Sequence, residues 1–287
     1  MTSEVMPAEH PAGYARPMQT VRRESPFGAL LRSHRVARAM SQERLCESAE
    51  VSTRHLSYLE TGRASPSREM VLVLASALEL PLRERNALLD AAGFAAAYKE
   101  SNLDASGMRE LDAALGRLLD KLEPYPAIVV DRVWNVLRVN AAAQRFFPLL
   151  LPPDAPAALL ANAVRAVVDP RGARPYLVNW DEVVGAIAER ARLELARDPE
   201  GSARRALYDE MLAFPGVRDA IKRAPAAAPL PFLPVHVRRD GVEARFFTML
   251  TTIGTPLDVT AEELRVEAYF PADEATRLLL ESMARAS

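Results

Sequence analysis

The stretch MSQERLCESAEVSTRHLSYLETGR, residues 40 to 63, decides the fold of the N-terminal part of the chain. It contains two short helical patterns separated by a short break, and Ser41 and Ser52 stand where the two helices should begin. Behind the second pattern, Leu56 and Leu59 form an apolar seam, and polar side chains point outward. On this pattern alone two interpretations are open: a unit that contacts DNA, or a small helical hairpin whose polar face meets water.

Helical patterns with short breaks continue on both sides of this stretch. Pro26 suits the first turn of a first helix, and Gly62 and Gly93 stand where left-handed residues end helices. Five helices joined by short loops predict one compact all-α domain over residues 26–94.

The stretch also lies in a locally basic segment. Between Arg16 and Arg68 there are ten arginines and five glutamates, a local charge of +5, whereas the whole chain has a net charge of −2. A basic module on a nearly neutral protein is typical of an electrostatic contact with DNA phosphates.

In a helix-turn-helix unit the first helix lies across the DNA backbone and the second enters the major groove. Gln42, at the start of the first helix, is predicted to contact phosphate. Arg54 is the best candidate for a bidentate contact to guanine, and Thr53 suits a base or phosphate contact. The predicted DNA-contacting residues are Gln42, Ser52, Thr53, Arg54, His55, Ser57, Tyr58 and Arg63.

These residues and their setting closely resemble the Xre/Cro-like family of repressor DNA-binding domains. The family start L-S-Q-x-x-L-A appears as Met40 to Cys46, and V-S-x-x-x-I-S-x-L-E-x-G-x-x-x-P-S appears as Val51 to Ser67. The resemblance favours the DNA-binding interpretation and implies a homodimer on a palindromic double-stranded operator, with half-sites about one helical turn apart. It also implies a structural pair between Arg35 and Glu60 that fixes the second helix.

Two positions depart from the family pattern. Cys46 replaces the usual Ala, and its small side chain favours a buried structural thiol over a redox sensor. Glu50 replaces the usual Gly in the turn. A left-handed conformation there would cost on the order of 1 kcal/mol.

The composition of the whole chain limits the class of protein that it can be. The chain has 287 residues, of which 49% are hydrophobic and 26% charged, and a single cysteine, which fits a reducing cytoplasm. We expect residues 1–25 to form a flexible arm without a signal peptide, residues 95–107 to form a linker, and no segment to span a membrane.

From about residue 127 the pattern changes to strands. AIVVDRVWNVLRVN is rich in Val and Ile, Asn140 is a helix cap, and Asp240-Gly241 predicts a type I′ hairpin turn. In LRVEAYF, Leu264, Val266, Ala268 and Phe270 lie on one face, and Arg265 and Glu267 lie on the other. With helices predicted between the two strand regions, residues 108–287 form an α+β domain.

This domain resembles the MmyB-like ligand-binding domain, over LEPYPAIVVDRVWNVLRVNAAA, NWDEVVGAIAERARLELARDPE and the later strands. The resemblance implies a PAS-like antiparallel sheet with helices packed on one side. It also implies a small apolar ligand, with a fatty acid as the best-supported type. The predicted pocket residues are Trp134, Val136, Phe146, Phe147, Trp180, Phe246, Phe247, Met249 and Tyr269.

Alternatives remain open for this domain. Most aromatic residues of a sheet domain fill its core, and the domain could be only a dimerisation or partner platform, or a lipid carrier or lipid-processing protein. If a carboxylate binds, the candidates to meet it are Arg138, Arg245, His236 and Tyr176. An enzyme is not expected, because no nucleophile elbow, phosphate-binding loop, dinucleotide motif or metal-ligand spacing occurs, and no cofactor is implied.

Overall fold

The computed structural model describes residues 25–196, 198, 201–225, 232 and 234–286. It contains a helical N-terminal domain followed by a domain built on a sheet. Within the described residues, no helix is both long and apolar enough to cross a bilayer. The predicted arm, residues 1–25, lies outside the described residues except for Ser25.

The N-terminal domain has the five predicted helices. They are α1 (Pro26–Ala37), α2 (Gln42–Ala49), α3 (Thr53–Glu60), α4 (Arg68–Ala77) and α5 (Leu82–Ala91). The predicted caps of α2 and α3 are confirmed: the Ser41 hydroxyl accepts a hydrogen bond from the amide of Arg44, and the Ser52 hydroxyl accepts one from the amide of His55. Each such cap stabilises its helix by about 1 kcal/mol.

One apolar core joins all five helices. Leu31, Leu45, Leu56, Leu74 and Leu88 are fully buried in it. Burying a side chain of this kind contributes roughly 1.5–3 kcal/mol, so the seam behind α3 holds the helix firmly in place. Cys46 belongs to the same core, as predicted, and burial raises the pKa of its thiol.

The backbone of Glu50 is left-handed, with φ 54° and ψ 40°, which confirms the expectation for this turn. Gly62 and Gly93, at φ 68° and 83°, take the left-handed conformation predicted for them. At Glu50 the conformation ends α2 and starts the turn into α3, so the strain lies inside the helix-turn-helix unit.

The C-terminal domain contains a five-stranded antiparallel sheet. Its strands are β1 (Ala127–Val130), β2 (Val136–Val139), β3 (Val235–Arg239), β4 (Val242–Thr252) and β5 (Arg265–Pro271), in the order β2-β1-β5-β4-β3. The β3–β4 hairpin turns at Asp240 and Gly241, whose φ values of 49° and 82° agree with the predicted type I′ turn.

Nine helices of this domain are described. They are α6 (Arg109–Lys121), α7 (Ala141–Phe146), α8 (Ala157–Leu160), α9 (Ala163–Val168), α10 (Trp180–Leu195), α11 (Ala203–Ala213), α12 (Val217–Arg223), α13 (Val259–Glu263) and α14 (Glu274–Arg285). The Asn140 side chain caps α7, as predicted.

Helices pack on both faces of the sheet, not on one side only. On one face, Leu115 and Leu119 of α6 pack against Ala127 and Val129. On the other face, α7, α9, α10, α11, α12 and α14 form a larger core around Phe246. All four residues of β1 are therefore buried, which explains its uninterrupted apolar sequence.

The two domains are in direct contact. The Arg83 guanidinium on α5 donates hydrogen bonds of 2.7 and 2.9 Å to Glu263, and the amide of Leu82 donates one of 2.7 Å to Glu262. The predicted linker, residues 95–107, also packs on the second domain, where the Lys99 carbonyl accepts a hydrogen bond from Val259. Helix α5 therefore rests against the residues that precede β5.

Candidate DNA-contacting surface and ligand cavity

The outer face of α3 is polar and accessible. Thr53 and Arg54 are exposed, and Arg63 is exposed just beyond the helix. The Arg54 Nε donates to the Tyr58 hydroxyl at 3.1 Å, and the guanidinium carbons of Arg54 and Arg63 lie 5.4 and 5.7 Å from the Tyr58 ring centre. Two positive charges thus flank one aromatic ring on the outer face of α3.

Other predicted contact residues lie beside this face. Ser52 is exposed at the start of α3, although its hydroxyl is engaged in the helix cap. His55 and Ser57 are half-buried on the same helix. The exposed polar surface of α3 is therefore centred on Thr53 and Arg54.

Glu60, at the end of α3, is the centre of a buried polar network. It accepts hydrogen bonds of 2.6 and 3.0 Å from Arg35 on α1 and one of 2.7 Å from the Gln42 side chain on α2. Its side chain is 3% exposed and that of Arg35 is 11% exposed. The network ties three helices together and fixes the orientation of α3. Gln42, predicted at the DNA backbone, here directs its amide inward.

A second candidate site is a cavity of about 340 Å³ in the C-terminal domain. It lies between the sheet and helices α9, α10 and α11, and this volume is within the usual range of small-molecule sites. Its wall is formed by Arg132, Trp134, Ala163, Val164, Val167, Leu177, Val183, Ala186, Ile187, Arg190, Ala191, Glu194, Arg204, Leu207, Tyr208, Met211, Phe232, Val235, Thr248, Glu267 and Tyr269.

Of the nine predicted pocket residues, Trp134 and Tyr269 lie on this wall. Phe146 and Phe246 are fully buried core residues next to it, and Phe147 packs on Tyr269 with ring centres 5.3 Å apart. Val136 packs in the small core around β1.

The other three predicted pocket residues lie elsewhere. Trp180 is buried at the start of α10, and the guanidinium carbon of Arg174 lies 3.7 Å from the centre of its ring. Phe247 stacks on Phe270 on the opposite face of the sheet, and Met249, on that face too, is 54% exposed.

Trp134 reaches the cavity from a strained turn between β1 and β2. Its φ is 62°, a conformation that bulky residues rarely adopt. The Asp131 carboxylate accepts hydrogen bonds from the amides of Val133 and Asn135, and the Asn162 side chain donates to the Val133 carbonyl. These bonds hold the turn and, with it, the indole ring in the wall.

The cavity has a polar region on β5 and β4. The Tyr269 hydroxyl donates to Glu267 Oε2 at 2.8 Å, and Thr248 lies on the same part of the wall. Glu267 is 8% exposed, and burial raises the pKa of its carboxyl group. Burial and the adjacent Glu267 also raise the pKa of the Tyr269 phenol. Burial thus favours the neutral forms of both groups.

Alternation in LRVEAYF correctly placed Glu267 opposite Leu264 and Val266, but a charged residue on a strand is normally solvated. Its burial depends on helices packed from distant parts of the sequence. The local sequence therefore gave no signal for Glu267, Arg190 or Arg132 as cavity residues.

The four residues predicted as candidates to bind a ligand carboxylate contact other side chains of the protein instead. Arg138 bonds Asp104 and Asp112, and Arg245 bonds Glu243 and Asp273. His236 contacts Glu243, and Tyr176 lies under the Arg239 guanidinium. None of the four is among the wall residues.

Arg132 links the cavity to the other domain. It lies on the cavity wall and donates a hydrogen bond of 3.1 Å to Glu263. The same carboxylate accepts two hydrogen bonds from Arg83 on α5. One acidic side chain therefore connects the cavity wall with the N-terminal domain.

Comparison with known proteins agrees with this architecture. A family model described as "Helix-turn-helix domain" matches residues 26–88, and one described as "MmyB-like transcription regulator ligand binding domain" matches residues 111–283. No curated protein matches the chain significantly.

Several solved structures are similar over parts of the chain. The restriction-modification controller protein C.AhdI from Aeromonas hydrophila is 33% identical over 21% of this chain and 92% of its own, with a TM-score of 0.21. The clp gene regulator ClgR from C. glutamicum is 35% identical over 24% of this chain and 87% of its own, with a TM-score of 0.22. The PAS domain of Bordetella pertussis BvgS is 20% identical over 62% of this chain and 99% of its own, with a TM-score of 0.28.

Because the ligand-binding-domain model covers more than half of the residues and follows a helix-turn-helix match, the chain belongs to the MmyB-like family of helix-turn-helix transcription regulators.

Proposed function

We propose that the chain is a ligand-responsive regulator that binds a palindromic double-stranded operator as a homodimer. A small apolar ligand, a fatty acid or a related lipophilic metabolite, occupies the cavity and changes the affinity for DNA. The observation that carries this proposal is the cavity of about 340 Å³, whose wall residue Arg132 shares Glu263 with Arg83 of the DNA-binding domain.

The DNA contacts are proposed for the outer face of α3. Thr53 and Arg54 are accessible there, and α3 is oriented by the buried Glu60 network. Arg54 would contact a guanine edge, while Ser52, His55, Ser57, Tyr58 and Arg63 would add base or phosphate contacts. At the N-terminus of α2, the backbone amide of Gln42 would contact a DNA phosphate, while the Gln42 side chain donates its hydrogen bond to Glu60.

Coupling between ligand and DNA requires that the ligand prefer one arrangement of the two domains. A ligand that displaced Arg132 would weaken its hydrogen bond to Glu263. Because Arg83 on α5 is bonded to the same carboxylate, the position of α5 against the second domain would change. By thermodynamic reciprocity, operator DNA would then change the affinity for the ligand by the same factor.

The test has two arms on the full chain. Lipids extracted from protein purified without detergent are identified by mass spectrometry, and binding to a duplex selected from a random pool is measured with and without that lipid. A stoichiometric apolar molecule that changes the affinity for DNA supports the proposal. An affinity for DNA that hardly varies with salt would contradict DNA binding through phosphate contacts.

A second candidate is a regulator whose C-terminal domain is only a dimerisation or partner platform. It is favoured by a row of neighbouring aromatic rings, in which Tyr125, Phe270, Phe247 and Phe232 follow one another with ring centres 5.6, 5.6 and 5.1 Å apart. Repeated absence of any co-purified apolar molecule, together with unchanged DNA binding in the presence of added lipids, would favour this candidate.

A further inference from the structure

The wall of the cavity is apolar at one end and charged at the other. Along α10, apolar Val183 and Ile187 come first on the wall, and Arg190 follows one turn later. Along α11 the order is reversed, because charged Arg204 precedes apolar Met211. Since α10 ends and α11 begins at the same connection, the charged wall residues of the two helices lie at the same end of the cavity.

This charged end faces the DNA-binding domain. Arg132, also on the wall, donates a hydrogen bond of 3.1 Å to Glu263, which accepts two more from Arg83 on α5. Glu84, the next residue of α5, is buried, and Arg132 and Arg204 lie near enough for their charges to act on it. A ligand aligned with the wall would therefore point its polar end toward α5 and its apolar part away from it.

Arg190 is the wall cation that is available to a ligand. Arg132 and Arg204 already donate hydrogen bonds to carboxylates of the protein. Arg190 has no hydrogen bond or ion pair with any residue that the structure describes, and its guanidinium carbon lies 5.8 Å from the centre of the Trp134 ring. Because Arg190 is exposed, a carboxylate bound to it need not lose all of its water.

Neither acid of the wall occupies Arg190. Glu194 accepts a hydrogen bond of 2.9 Å from Arg265. Glu267 accepts one of 2.8 Å from the Tyr269 hydroxyl, and the charge of Arg190 acts on Glu267 without a hydrogen bond between the two groups. A guanidinium group carries five N–H donors, so a ligand carboxylate can bind Arg190 in either protonation state of Glu267.

We propose that the negative charge at the polar end of the ligand, rather than the filling of the cavity, is the signal that changes DNA binding. A carboxylate held by Arg190 competes with Glu263 for Arg132. It also repels the carboxylate of Glu84 on α5, so the contact between α5 and the second domain weakens. This inference rests on the proposed ligand-binding function and narrows its effector to apolar molecules with a carboxylate end.

The test compares two probes with the same alkyl chain, decanoic acid and decan-1-ol, at about pH 8, where the acid is ionised. Binding of each to the full chain is measured by calorimetry below the micelle concentration. The affinity for the duplex selected from a random pool is then measured with each probe bound. Decanoate should bind about tenfold more tightly than decan-1-ol, because its hydrogen bonds to Arg190 are charge-assisted. Only decanoate should change the affinity for DNA, by about fivefold or more.

A matched pair of variants on α10 tests the anchor. Arg190→Met removes the cation and keeps an unbranched side chain, so the affinity for decanoate should fall about tenfold, to that for decan-1-ol. Arg192→Met makes the same change of charge two residues further along the helix. Arg192 is exposed, is paired with Glu189 and is not a wall residue, so this variant should leave both affinities unchanged.

Two further variants separate binding from response. Glu263→Gln removes the carboxylate that Arg132 and Arg83 share, and Glu263 is not a wall residue. Decanoate should bind this variant at least as tightly as the original chain, because Arg132 is released, yet its effect on the affinity for DNA should largely disappear. Arg83→Met should reduce the same effect from the side of α5. Thermal melts show whether each variant folds.

The outcomes distinguish this inference from the function on which it rests. If both probes change the affinity for DNA equally, the charge is not the signal, while ligand-responsive DNA binding stands. If Arg190→Met keeps the preference for decanoate, Arg190 is not the anchor. A full response in both Glu263→Gln and Arg83→Met would overturn the route through α5. If neither probe binds, or if both bind without any effect on DNA, the proposed ligand response fails together with the inference.

Discussion

Removal of the Glu60 carboxylate should destabilise the DNA-binding domain strongly. Glu60 accepts three hydrogen bonds, two from Arg35 and one from Gln42, and its side chain is 3% exposed. In Glu60→Ala, the Arg35 charge stays 11% exposed with the Met40 carbonyl, 2.7 Å away, as its remaining hydrogen-bond acceptor. Breaking a buried pair from one side typically costs about 3–5 kcal/mol.

The loss is large compared with the stability of a small domain, which is about 5–15 kcal/mol. For a domain of this size each kcal/mol lowers Tm by roughly 4–8 °C, so Glu60→Ala should lower the Tm of the N-terminal domain by roughly 12 °C or more. Arg54→Ala removes an exposed side chain and should change stability by less than about 0.5 kcal/mol.

The assay is a thermal melt of the full chain followed by circular dichroism. Glu60→Gln serves as a control that keeps the size of the side chain. The double variant Arg35→Met, Glu60→Met replaces both charges with apolar groups and should recover much of the lost stability. A melt in which Arg54→Ala is as destabilising as Glu60→Ala would refute the structural role of the network.

Three other changes give separate tests. Arg54→Ala should weaken binding to the selected operator by about 1–3 kcal/mol and relax one base position; equal weakening on all sequences would make Arg54 a phosphate contact. Glu50→Gly should raise Tm by a few degrees, because glycine relieves about 1 kcal/mol of left-handed strain; a lower Tm would show that the Glu50 side chain stabilises the turn. Burial lowers the pKa of His34 from its usual 6.5 to about 4. The free energy of unfolding should therefore be unaffected by His34 above about pH 6.5 and should fall as the pH drops toward 4, because the unfolded chain binds the proton at a higher pH than the folded chain does. This loss should be smaller in His34→Leu, and an identical pH profile in the two chains would contradict it.

Much of the DNA-binding domain could be predicted because its determinants are local. Caps such as Ser41 and Ser52, the glycine at position 62 and the spacing of Leu56 and Leu59 act within one helix or turn. Even the strain at Glu50 was visible from a single departure in the turn. Local rules suffice where each element is short and its neighbours follow directly in the sequence.

The cavity depends on contacts between distant segments, and local rules did not find most of it. The aromatic residues predict a well-packed domain, but the alternation of residues along a strand does not predict which face of the sheet lines a cavity. Phe246 fills the core and Tyr269 lines the cavity, although both lie on strands among apolar neighbours. Similarly, the orientation of Gln42 toward Glu60 depends on how α2 and α3 cross, which the spacing of residues does not define.

The strained turn at Trp134 has a practical consequence for optical measurements. The chain contains two tryptophans, and Trp134 is the one on the cavity wall, with the guanidinium groups of Arg190 and Arg265 near its ring. Because its backbone is held by the turn, its indole would respond to a guest molecule mainly through a change in surroundings rather than through its own movement. Replacing Trp180 with phenylalanine would leave a single tryptophan, whose emission, excited selectively over the seven tyrosines, reports occupancy of the cavity without a label.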